Sequence, residues 1–147
     1  MLDKERLLPN ENFTYRKNGK LNLLVASSHR YLKNLNGLIE GVHLMDSQYR
    51  DNLRISWFGN SRFDTSLEDG LQKIQSYGLQ DIFSFHKETL NIYDYMREAD
   101  AVGLFSFFEG LPNAICEGMY MGKPIVATRV SDVPLLVEDN VNGFLCE

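Results

Sequence analysis

Glu109 and Glu117 stand with seven residues between them in the segment Ser106-Phe107-Phe108-Glu109-Gly110-Leu111-Pro112-Asn113-Ala114-Ile115-Cys116-Glu117-Gly118. A carboxylate accepts hydrogen bonds from two adjacent hydroxyls at once, so each acid suits a ribose or a sugar diol. Gly110 and Pro112 mark a tight loop that opens a helix. The first amides of a helix lack partners within it and, with the helix dipole, attract an anion. Two acids around such a loop describe a site for a diphosphate carrying sugars on both sides. A solvated loop acid and an exposed helix acid are the alternative reading of the same spacing.

A second polar cluster is Ser27-Ser28-His29-Arg30-Tyr31-Leu32-Lys33-Asn34. Arg30 and Lys33 suit a diphosphate leaving group, and His29 could donate a hydrogen bond. The plainer reading is a polar turn in which Asn34 or Ser28 caps a helix. His86 and Lys87 follow a strand and either line the same crevice or belong to loop surface. His43 reads as structural, and Trp57, Phe58, Phe105, Phe107 and Phe108 read as core. Cys116 reads as a small buried hydrophobe. No Asp-x-Asp pair and no His/Cys ligand cluster occurs, so a metal is not expected. A phosphate-cradling Gly-x-x-x-x-Gly-Lys run and a Gly-x-Ser-x-Gly elbow are also missing.

The elements that must position these groups alternate along the chain. Residues 21–26, 53–58, 82–85, 101–105, 124–128 and 143–145 read as strands. Helical spacing of apolar residues marks 33–45, 67–77, 92–99 and 112–121, with a short helix at 133–137. The strands are mostly apolar throughout, as burial on both faces demands. Alternation of this kind implies right-handed crossovers and a Rossmann-like α/β fold, a parallel sheet with helices on both faces. Such sheets bind ligands at the carboxyl ends of their strands. Residues 1–20 are polar and turn-rich and read as a hinge or linker; residues 21–147 read as one domain.

Composition narrows the partners. The 147 residues carry a net charge of −5, which argues against a nucleic-acid footprint. No apolar stretch approaches a membrane span, and the first residues lack the apolar centre of a secretory signal. With only Cys116 and Cys146, a reducing cytoplasmic location is expected.

From Ala99 to Leu145 the chain resembles the group 1 retaining glycosyltransferases of the GT-B fold. The matching words are Glu98-Ala99-Asp100-Ala101, the Ser106–Gly118 segment, Met121-Gly122-Lys123-Pro124-Ile125-Val126-Ala127-Thr128 and Asn142-Gly143-Phe144-Leu145. Fainter similarity extends back through Lys33-Asn34 and Leu38-Ile39-Glu40-Gly41. The resemblance implies one half of a GT-B enzyme, the half that binds a nucleoside-diphosphate-sugar donor. It places Glu117 at the ribose, Glu109 by the donor sugar, the amides of Gly110, Leu111 and Asn113 at sugar and phosphates, and a basic pair at the diphosphate. The implied catalytic groups are therefore Glu109, Arg30 and Lys33; the implied donor-binding groups are Gly110, Leu111, Asn113, Glu117 and Ser28. No cofactor and no metal is implied.

Three departures matter. Ser27-Ser28-His29-Arg30 replaces the family's Gly-Arg-Leu; strict spacing to Lys33 puts Ser28 at the Arg position, and Arg30 is the alternative. Ser131-Asp132-Val133-Pro134-Leu135 replaces the family's Gly-Gly-x-Pro-Glu. The family's amino-terminal acceptor domain has no counterpart in these residues, so this chain is expected not to transfer sugar alone. Two other classes remain open: a sugar-nucleotide epimerase of the same fold, and a non-catalytic α/β interaction module. A receiver-like module would need an acidic cluster after the first strand, where Ser27, Ser28, His29 and Arg30 stand instead.

Overall fold

The computed structural model describes residues 19–147, so residues 1–18 of the expected hinge lie outside it. Six short runs form strands: β1 (Leu21–Ala26), β2 (Leu53–Phe58), β3 (Phe83–His86), β4 (Ala101–Leu104), β5 (Ile125–Thr128) and β6 (Gly143–Cys146). All neighbours pair in parallel, in the order β3-β2-β1-β4-β5-β6. Every residue of β4 is buried, which accounts for its unbroken apolar sequence. β6, at an edge, leaves Phe144 and Cys146 outward.

The helices are α1 (Leu35–Leu44), α2 (Ser47–Arg50), α3 (Ser66–Tyr77), α4 (Ile92–Glu98), α5 (Asn113–Tyr120) and α6 (Val133–Leu136). Successive residues of a strand point to opposite faces. Leu23 and Val25 therefore join one core with Leu35, Ile39 and Val42 of α1 and Ile74 of α3. Leu24, Val102 and Leu104 join the other, with Met96 of α4, Ile115 of α5 and Val133 of α6. The chain moves outward from β1 to β3, then returns to β4 on the other side of β1. The connections leaving β1 and β4 part to opposite faces and leave a crevice at the carboxyl ends of these two strands.

Two glycines allow close packing around these strands. A Cβ on Gly59, just past β2, would stand 1.9 Å from the Ser27 carbonyl oxygen. A Cβ on Gly118 would press within 3.0 Å of Val102, so α5 lies tight on β4. At the opposite end of the sheet the Asn22 amide donates to Asp100 Oδ2 at 2.8 Å. Asp100, part of a sequence word shared with the family, thereby fastens the start of β4 to β1.

The expected elements recur with four corrections. The expected helix from Lys33 begins only at Leu35: Tyr31–Lys33 form a 3₁₀ turn, and Asn34, in the left-handed region at φ 57°, caps α1 by accepting from the Gly37 amide. Lys33 thus ends the 3₁₀ turn and lies outside α1. α2 was not expected; a single turn is too short to show a period. Phe107 and Phe108, expected in the core, are exposed, because the chain has left the sheet at Leu104 and runs across its uncovered mouth. Cys116 is only partly buried. Among the described residues, no helix is long and apolar enough to cross a membrane.

Candidate functional site

Beyond β4 the chain stays buried through Phe105 and Ser106 and then turns outward. Ser106 is 1% exposed. Its hydroxyl donates to Glu109 Oε1, and the Lys33 ammonium contacts the same oxygen. The Lys33 and Glu109 side chains are only 14% and 12% exposed. The Phe107 amide donates to the Leu32 carbonyl at 3.0 Å and ties the two loops together. A third loop closes the cluster from β5. Thr128 Oγ1 donates to the Ser106 carbonyl at 2.7 Å, and Ser131 Oγ accepts from the Glu109 amide at 3.1 Å. Ser131 sits at φ 50°, a left-handed conformation that suits the glycine of the family pattern. Its hydroxyl gives the Glu109 backbone a partner no glycine could offer.

The next residues open α5. Gly110, Leu111 and Asn113 are exposed, and their amides meet no acceptor among the described residues. Pro112, buried and without an N–H, sits before the first helical residue. One turn on, Glu117 Oε1 accepts from the Tyr93 hydroxyl of α4 at 2.9 Å. The two acids thus lie at the start of one helix, at the mouth of the sheet, with free amides between them. One short segment thus carries two carboxylates and open N–H donors, with an ammonium on the first acid, groups able to bind anionic oxygens and vicinal hydroxyls.

The basic pair of the first turn divides. Lys33 faces Glu109, whereas the Arg30 guanidinium lies over the Phe63 ring at 5.0 Å. Ser28 lines a pocket of about 220 Å³ over the ends of β1 and β2, with Ser27, Gly59, Asn60, Thr89 and Ile92. His29 does not reach the cluster. It is 3% exposed, edge-on to Trp57 and Phe85, with Nε2 3.4 Å from the Trp57 carbonyl. Burial lowers its pKa below 6.5. His86 and Lys87 line a separate cavity of about 490 Å³ with Arg62 and Glu88. His43 stacks on Tyr77 at 3.9 Å, a structural role.

Sequence reasoning missed Ser106, Thr128, Ser131 and Tyr93. Ser131 had a signal, since it stands where the family pattern has a glycine. The Tyr93 contact had none, because it joins two helices that are separated along the chain by β4 and its loop.

Comparison with known proteins bears on this geometry. The family model for group 1 glycosyl transferases matches residues 20–147. The chain belongs to the group 1 glycosyltransferases. An uncharacterized glycosyltransferase of Haemophilus influenzae is 32% identical over 151 residues, covering 100% of this chain and 38% of its own. Anabaena Alr3699/HepE in complex with UDP and glucose superposes with a TM-score of 0.77 at 26% identity, over 86% of this chain and 34% of that one. The C-terminal domain of the Francisella tularensis group 1 protein LpcC shares the fold at a TM-score of 0.79 and 20% identity, over 100% of this chain and 80% of that domain. The chain therefore spans little more than a third of the first two relatives.

Proposed function

We propose that this chain is the donor-binding half of a retaining glycosyltransferase that moves a sugar from a nucleoside diphosphate to an acceptor hydroxyl. The observation that carries the reading is the meeting of Lys33, Glu109, Ser106 and the free α5 amides at the crevice between β1 and β4. The UDP and glucose of the HepE complex support a donor of this class. Glu117 takes the ribose diol, held in place by Tyr93. The amides of Gly110, Leu111 and Asn113 face the sugar and phosphates. Lys33, with Arg30 swung from Phe63 or Ser28 in its stead, neutralises the diphosphate as it leaves, and Glu109 stands by the donor sugar. Cations and helix amides stabilise the leaving group without a metal. The acceptor enters from a second domain, so this half alone does not turn over. Its unpaired cysteines, Cys116 and Cys146, fit a reducing cytoplasm.

The test is calorimetric titration of the chain with UDP. Glu117→Ala should weaken binding about tenfold or more, since a charged hydrogen bond contributes roughly 1.5–3 kcal/mol and about 1.4 kcal/mol is tenfold. Unchanged affinity removes Glu117 from the site, and absence of binding by the parent chain removes the donor reading.

A further inference from the structure

The Lys33 ammonium and the Ser106 hydroxyl converge on one oxygen of Glu109, and both charged side chains are withdrawn from water. Among the described residues Glu109 is the acid paired with Lys33, while Arg30 is turned away over Phe63. The glutamate is also fixed through its backbone, its amide donating to Ser131. A carboxylate and a phosphate compete for the same N–H donors of an ammonium, and at contact distance they repel one another. The ammonium has three N–H donors, and an anion that takes the one now given to Glu109 must displace the carboxylate from it.

We propose that Glu109 is a built-in competitor for Lys33: in the empty protein its carboxylate stands in for the donor's phosphate, and the nucleoside diphosphate enters by exchange with it. The inference rests on the donor reading above and deepens it. Exchange of one anion for another yields little net attraction, so a bare diphosphate is held weakly. The displaced carboxylate, still anchored by its loop, regains hydrogen bonds only when a sugar hydroxyl lies within reach. Lys33 and Glu109 together then discriminate a sugar-bearing donor from the spent diphosphate, which carries a similar charge at Lys33 but offers Glu109 nothing.

Titration of the 147-residue chain and its Glu109→Gln variant with UDP, UMP and uridine tests this. Neutralising the competitor should tighten UDP binding by about tenfold, the lower bound for a charged hydrogen bond. The gain should be smaller for UMP and nil for uridine. It should vanish in a Lys33→Met background, where no cation remains to be freed. Glu109→Ala should give the same ordering and serves if the glutamine variant does not fold. Equal or weaker UDP binding by both Glu109 variants overturns the proposal, as does an equal gain for uridine. If neither the parent chain nor the variants bind UDP, the donor reading falls and the competitor role falls with it.

Discussion

Ser106→Ala isolates what holds Glu109 in place. The change deletes one buried hydroxyl and leaves the backbone contact from Thr128 intact, because that bond goes to the Ser106 carbonyl. Its partner is a carboxylate that is 12% exposed and shares the contacted oxygen with Lys33. Water cannot readily replace the lost donor there. A hydrogen bond to a charged group contributes about 1.5–3 kcal/mol, against roughly 0.5–1.5 for a neutral pair. For a chain of this size 1 kcal/mol shifts the midpoint of thermal unfolding by about 2–4 °C, so the melting temperature should fall by roughly 3–12 °C. Circular dichroism melts at pH 7 read this directly. Ser84→Ala is the reference deletion: its hydroxyl meets Ser56, the Ile55 carbonyl and His86 at 3.3 to 3.4 Å, on the exposed flank of β3. If Ser106→Ala melts no lower than Ser84→Ala, the hydroxyl does not support the carboxylate and the geometry argued for Glu109 is wrong.

Two other outcomes follow from the same structure. Gly59→Ala places a methyl 1.9 Å from the Ser27 carbonyl oxygen, a backbone atom that cannot rotate away. Denaturant titration should show a loss of more than about 3 kcal/mol, beyond the usual range for overpacking; near-parental stability would mean the ends of β1 and β2 do not approach as described. His29, whose pKa is lowered by burial, resists a proton that the unfolded chain accepts near 6.5. Its contribution is therefore complete above that pH and declines as pH falls below it, by at most about 1.4 kcal/mol per pH unit. Urea melts at pH 7.5 and 5.5 should show a smaller loss for His29→Gln than for the parent, and equal losses would rule out the effect.

The alternation of strands and helices was plain in the residues because each signal is local. An unbroken apolar run such as Ala101–Leu104 reports burial on both faces, and the spacing of Leu35, Ile39 and Val42 reports one buried helical stripe. The edges of elements were less plain. Whether a helix starts at Lys33 or Leu35 depends on one residue, Asn34, adopting a positive φ, and that choice decides whether Lys33 lies in a helix or is free to face Glu109. Phe107 and Phe108 misled for a related reason. An aromatic pair reads as core unless one knows that no layer covers the loop it occupies.

The acids, the free amides and the basic turn were legible as types at spacings, since a short loop and the first turn of a helix fix their relative positions within a few residues. What those groups touch was decided only by tertiary structure. Lys33 and Glu109 are 76 residues apart and meet because β1 and β4 are neighbours in the sheet. Tyr93 reaches Glu117, and Ser131 reaches the Glu109 amide, for the same reason: parallel strands gather at one edge loops that are distant along the chain. Local patterns record burial and turn chemistry, whereas pairing across a sheet depends on strand order, which no short stretch of sequence encodes.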